Sequence, residues 1–395
     1  MGTRAGVGMS HHHNPKQAGK EAVEQALKTG LIRTPDFVFL FASVGYNQEV
    51  LIDAVNRASG GAPLSGCSGE GIISLGEADE SNFSVAAMAI QSDELIFKNA
   101  YATGLKQNSE LCGENMARDL IEGVNSETIG MFVFADGLTL NFDQFKDALE
   151  GHLKPDRFIP MFGGLSADNW EMKQTYQYYN NRVLSDGAVC TLMSGKARIA
   201  WVVSHGCVPI GAEHEVTRCE GNTIYEIDSM PVLEVFKEYL DEEEINNWSR
   251  AVVNLCLGFK APSTMDGYDE YLIRFMPTKD DEKGCITIST ETENGTKFWM
   301  TRRDQEKIAN GVRNAASLIK EAIGNQSIKM VFHFDCAGRG KVVFRDLQKN
   351  QLLKELQDKV GRSIPWIGFY TLGEIGPVGN QNHFHNYTAI ISAIY

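Results

Sequence analysis

The chain reads as an α/β protein of mixed α+β character, built from repeated strand–helix–strand units that form two domains with helices packed on mixed sheets. Three observations predict this: an internal triplication, helical spacing between the repeated strands, and a composition able to fill large cores. The triplication is the strongest. An apolar strand ending in a small polar residue leads through a helix into a second strand that stops at glycine. The copies are FVFLFAS (37–43) then PLSGCSGEG (63–71), MFVFAD (131–136) then IPMFGGLSAD (159–168), and MVFHFDC (330–336) then IPWIGFYTLGEIG (364–376). Ser43, Asp136 and Cys336 fall at equivalent strand ends.

Between the paired strands, apolar residues recur at three- and four-residue steps, the period of a helix with one buried face. They are Val50, Leu51, Ala54 and Val55; Phe142, Phe145, Leu149 and Leu153; and Leu352, Leu353, Leu356 and Val360. A strand, a crossover helix and a second strand joined in this way pair in parallel. A strand and an amphipathic helix precede each unit: RAGVGMS with KQAGKEAVEQALKTG, IFKNAYATG with NSELCGENMARDLIEGV, and TKFWMTRR with QEKIANGVRNAASLIKEAIG. In the first of these, Asn14 suits a helix N-cap and Pro15 the first helical position, with His11, His12 and His13 in the preceding turn. A short apolar strand closes each unit: FSVAAMAI (83–90), AVCTLM (188–193) and YTAIISAI (387–394). The copies therefore span 4–90, 95–194 and 297–394, and residues 196–295 read as a degraded fourth copy. The pattern breaks at EGNTIYEIDSMP, which puts the boundary between an N-terminal domain, 1–225, and a C-terminal domain, 226–395.

A hydrophobic fraction of 43% over 395 residues supports substantial cores. The net charge of −14 argues against nucleic acid and against an anionic membrane surface, because both reward clustered Lys and Arg. No apolar run is long enough for a signal peptide or a spanning helix, so a cytoplasmic protein is expected. The eight cysteines (67, 112, 190, 207, 219, 256, 285 and 336) show no paired metal-type spacing, and reduced, buried thiols are the default in that compartment.

In open parallel sheets ligands bind beyond the carboxyl ends of strands, where loops diverge and helix N-termini point inwards. The glycine clusters fall at that edge, so Cys67, Ser68, Asp136, Gly164, Asp168, Cys336, Arg339, Tyr370 and Glu374 are candidate ligand-binding residues. The same glycines equally fit tight turns. Arg339 suits a ligand carboxylate, since its planar fork binds two oxygens, or else it pairs with Asp335 or Glu374. His205, in SHGCVPIG after an apolar strand, is a candidate ligand, acid/base group or haem axial donor, and His383 and His385 share a face two residues apart. No Walker loop, serine-hydrolase elbow, HExxH or dinucleotide fingerprint is present. A thiol enzyme using Cys67 or Cys336 would need a base and a lowered pKa.

With those residues in view, the chain resembles the FIST family, named for F-box and intracellular signal transduction proteins. GVGMS, PDFVFLFAS, PLSGCSGEG, FGGLSADN, SHGCVPIG and VTRCEGNTIYEIDSMPVLEVF carry the likeness to its N-terminal domain. FHFDCAGRG and IGFYTLGEIGPVGNQNHFHNYTAII carry the likeness to its C-terminal domain. Ser229 and the SMPVLEVF helix start depart from the family pattern. The resemblance implies a non-catalytic sensor that binds a small ligand and regulates a separate signalling partner, a histidine kinase or a cyclic-di-GMP enzyme. It implies first a haem-based nitric oxide sensor, with haem b as cofactor and His205 as first choice of axial ligand ahead of His383 and His385, and as the alternative an amino-acid-binding sensor. A homodimer is expected. A cysteine-dependent hydrolase or transferase is the alternative from another class.

Overall fold

A computed structural model describes residues 2–153, 157–261 and 271–395. Its architecture follows the triplication. In each unit a parallel pair forms around a crossover helix. Phe37–Ala42 pairs with Leu64–Ser68 around helix Gln48–Ala58. Thr128–Asp136 pairs with Met161–Ser166 around helix Phe142–Leu153. Met330–Cys336 pairs with Trp366–Thr371 around helix Asp346–Val360. Two antiparallel strands complete each unit: Val85–Ser92 and Thr3–Ser10, Gly187–Gly195 and Leu95–Thr103, and Thr388–Ile394 and Ile199–His205. Asn14 caps the first helix, Pro15–Thr29, by accepting from the N–H groups of Lys16 and Gln17, with Pro15 at its start.

The third unit corrects the sequence expectation. Its first strand is Ile199–His205, bonded to Thr388–Ile394, and its first helix, Gln305–Ile323, follows about a hundred residues later. The segment TKFWMTRR, expected to open this unit, pairs instead with Cys207–Glu220 and Leu255–Lys260. Residues 207–303 are thus no degraded copy. They form a separate sheet whose described pairs are all antiparallel, inserted between one strand and one helix of the third unit. The insertion enters and leaves at one point, where the Asp304 N–H donates to Gly206 O at 2.8 Å and Cys207 pairs with Arg303. An insertion whose ends meet leaves the host unit's pairing undisturbed.

After its second parallel strand, each unit sends a hairpin to a neighbour. Gly71–Ser74 of the first unit joins the third unit's Trp366–Thr371. Gln177–Tyr179 of the second joins the first unit's Leu64–Ser68, and Glu374–Val378 of the third joins the second unit's Met161–Ser166. The exchange closes on itself and ties the three sheets into one body.

The centre is packed solid. Phe39, Phe132 and Phe332 hold one position of the repeat and meet with ring centroids 5.1, 4.9 and 4.3 Å apart. One layer further along, Phe41, Phe134 and Phe334 meet at 5.2, 6.2 and 6.0 Å, and all six rings are fully buried. Aromatic pairs of this kind, most of them edge-to-face, add about 0.5–1.5 kcal/mol each beyond their area. The intervening residues Leu40 and Val133 point the other way, into the cores under the covering helices. The repeated glycine has a packing cause. A Cβ at Gly66, Gly163 or Gly368 would land 1.8, 2.0 or 1.7 Å from the carbonyl oxygen of Leu40, Val133 or His333 on the parallel partner strand.

Candidate functional site

Most of the candidate residues at the strand ends hold the fold's own loops. Asp136 accepts from Leu138 N at 2.9 Å, Thr175 Oγ1 at 2.8 Å and Asp186 N at 3.1 Å. Asp168 accepts from the N–H groups of Met172, Lys173 and Gln174, tying down a turn in which Asn169, Trp170 and Met172 take positive φ. Ser68 Oγ donates to Ala167 O and accepts from Tyr176 N. Gly164 lies opposite Glu374 in the hairpin exchange. Cys67 sits among the central phenylalanines, where burial pushes its thiol well above the usual range. That is the reverse of what a nucleophile needs.

His205, Cys336 and Glu374 are all buried near the seam between the third unit and the inserted sheet. His205 is buried and accepts at Nδ1 from the Cys207 N–H at 3.2 Å. Cys207 and Cys256 hold their sulfurs 3.7 Å apart, in one apolar cluster with Cys336 and Tyr387. The Arg303 guanidinium spans the seam, donating to Gly338 O and Val253 O above the Tyr387 ring. Burial pushes the Cys336 thiol and the Glu374 carboxyl far up, and Glu374 accepts from Thr371 Oγ1 and Thr388 N. Arg339 and Tyr370 lie elsewhere, on the helix-covered side of the third unit. There Arg339 Nε donates to Asp335 Oδ1 at 2.7 Å, the pairing that sequence allowed as its alternative to ligand binding.

A cavity of about 530 Å³ opens where three parts of the chain meet, and none of the ten candidate residues lines it. Helix Phe142–Leu153 of the second unit contributes Phe142, Asp143, Lys146 and Glu150. The third unit's hairpin contributes Asn382, His383 and Phe384, and the inserted sheet region contributes Arg274 and Thr290. The polar groups are held in place. Asn382 binds Met161 N through Oδ1, and through Nδ2 it binds Ile159 O and Glu150. Asp143 accepts from Glu291 N of the insertion at 3.0 Å, and Arg274 donates to Phe384 O at 2.9 Å. Burial alone would lower Lys146, but Asp147, Glu150 and Asp143 hold its ammonium above the usual range. Burial, reinforced by Arg274 and Lys146, pushes His383 down to about 4, so the imidazole is neutral, and its Nε2 has no hydrogen-bond partner.

The sequence pattern singles out His383 but not Lys146, Glu150 or Arg274. The signal was partial. Asp143, Lys146 and Glu150 recur at three- and four-residue steps beside the apolar stripe Phe142, Phe145, Leu149 and Leu153, as any solvated face does. That an inserted sheet faces this stripe is a tertiary fact.

The cavity is bounded by a repeat unit, an exchanged hairpin and the inserted sheet of a mixed α+β fold. The chain belongs to the FIST family: the FIST N domain matches residues 36–230 and the FIST C domain residues 233–377. FIST domains are signal-transduction sensor domains. An uncharacterized protein of Mycobacterium tuberculosis (strain H37Rv) is 26% identical over 399 residues, covering 98% of both chains. Another, of Mycobacterium bovis, is 24% identical over 400 residues, covering 98% of this chain and 97% of its own. Among solved structures, a cyanuric acid hydrolase (10% identity, TM-score 0.38) and a chorismatase (7% identity, TM-score 0.39) align over 100% of this chain and 99% of theirs. Likenesses that faint carry no argument about activity. Among the described residues, no helix is long and apolar enough to cross a membrane.

Proposed function

We propose that this protein is a non-catalytic cytoplasmic sensor whose ligand compartment is the 530 Å³ cavity, and that the ligand is a small amino acid. One observation carries the reading: the cavity wall brings Lys146 and Arg274 together with Asp143 and Glu150, beside Phe142 and Phe384. A zwitterion needs both signs of charge, and its side chain needs an apolar surface. Three separate parts of the chain line the cavity, so an occupant that fits one of their arrangements better than another shifts their relative position. A separate partner, a histidine kinase or a cyclic-di-GMP enzyme, would read that shift, and a homodimer would present it twice. Thermal unfolding with each of the twenty amino acids tests this. At millimolar concentration at least one should raise the Tm by a few degrees, and the gain should vanish in Gln381→Trp, which places a bulky ring at the exposed edge of the cavity. A uniform absence of shift would refute the amino-acid reading.

A second reading, haem b with nitric oxide as effector, has its own observation in His383. A half-buried, neutral imidazole in the cavity wall suits an iron ligand, and Lys146 and Arg274 suit two propionates. Bound there, haem would supply an iron centre that takes up nitric oxide. His205 fits the group less well, because its Nδ1 already accepts the Cys207 N–H and it lines neither described cavity. Absorbance of protein purified with haem supplied decides the matter: a Soret band that survives gel filtration, moves with nitric oxide and is lost in His383→Ala supports it. A band lost only in His205→Ala would place haem at the seam instead.

A further inference from the structure

Register aligns the three units residue by residue. Leu40, Val133 and His333 each pair with the repeated glycine, and Ala42, Ala135 and Asp335 stand two residues further along. In the first two units these positions are apolar and pack under the covering helices. The third unit buries an imidazole and a carboxylate in their place, a desolvation cost that its sister units avoid. The exception needs a cause. Asp335 is held by Arg339 and faces His333 Nε2 at 3.5 Å, but His333 is only partly satisfied: it is 4% exposed and its Nδ1 meets no partner.

His333 lines a pocket of about 30 Å³ between the N-terminal halves of helices Gln305–Ile323 and Asp346–Val360, towards the carboxyl ends of the parallel strands. Its floor is His333, Asp335 and Tyr370, and its walls are apolar, with Ile308, Val312 and Phe344 among them. The charges facing His333 are already closed into pairs. Arg339 neutralises Asp335, and Lys349, over the Tyr370 ring, is paired with Glu80 at 2.5 Å. Ile308 and Val312, from the other helix, bring no charge. An occupant of a neutral floor must offer a neutral head with both a donor and an acceptor, and apolar walls favour a short alkyl tail. The space holds a small carboxyl head, with room for a short tail only along the wall side chains towards its open side.

We infer that the third unit carries a second ligand pocket, built on His333 and independent of the junction cavity, that takes a short-chain aliphatic carboxylic acid together with its proton. The acid O–H or the imidazole N–H supplies the shared proton, and the alkyl chain lies along Ile308, Val312 and Phe344. Calorimetric titration of the full chain with acetate, propionate and butyrate tests this. Affinity should rise about fourfold per added CH2. It should fall by up to tenfold per pH unit as uptake of one proton becomes harder. His333→Leu, which installs the first unit's residue type, should abolish binding while the fold is kept, and Val312→Trp, which closes the walls without touching a charge, should do the same. Gln381→Trp should bind normally, which separates failure here from failure at the junction cavity. Acids binding His333→Leu or Val312→Trp as well as the native protein would overturn the inference. So would 1-butanol binding as tightly as butyrate, or no saturable binding at all, which would leave the pocket a structural water site.

Discussion

The threefold centre and the junction cavity are made from the same repeat by opposite means. At the centre, each unit presents the same residue type at the same register, and six phenylalanines leave no space. At the junction the symmetry is broken. Only the second unit's helix meets both an exchanged hairpin and the inserted sheet there, and the surfaces that meet are charged. The packing is densest where the copies agree, and the cavity opens where they do not.

That contrast can be broken most sharply at the centre. Phe332→Ala removes a ring in contact with Phe39 and Phe132, and by the usual cost of a large-to-small core change it should lose about 3–5 kcal/mol in urea unfolding, independently of pH. A loss below 1 kcal/mol would mean the rings are not the keystone. At the junction the larger effect is on pH dependence. The folded pKa of His383 is depressed to about 4, so its contribution to stability is present above pH 6.5 and is lost as pH falls towards 4, where the unfolded chain takes the proton first. His383→Gln should flatten the stability curve across that window by on the order of 2–3 kcal/mol, and an unchanged slope would contradict a half-buried imidazole held neutral. Smaller still, Lys146→Met should change stability by less than about 1 kcal/mol, because its partners are part-exposed, yet abolish the ligand-induced Tm gain. At the far end of the scale, Gly151→Ala, in a helix with nothing near the added Cβ, should stabilise by roughly 0.5–1 kcal/mol. Gly368→Ala, aimed at the His333 carbonyl, should not fold.

Much of the fold was legible because repetition multiplies a weak signal. The Phe–x–Phe pattern, the crossover helices and the glycine recurred in register, and Asn14 with Pro15 capped a helix as their chemistry requires. The insertion was not legible. TKFWMTRR has the apolar pattern of a strand, and nothing local says whether its partner is the third unit or Cys207–Glu220. The site was harder still. The repeated glycines marked strand contact, so Cys67 and Asp136, chosen for their company, turned out to be a core thiol and a loop anchor. Lys146, Glu150 and Arg274 gain meaning only when a helix, a hairpin and an inserted sheet meet, and no window of sequence contains that meeting. His333 was readable in principle, as the one polar residue where its sister copies carry Leu40 and Val133.

A crystal structure of the protein with the amino acid or haem that stabilises it would test the central claim most directly. Ligand density is expected in the junction cavity, in contact with Lys146, Arg274 or His383. Density at the His205 and Cys207 seam, with the junction cavity empty, would contradict it.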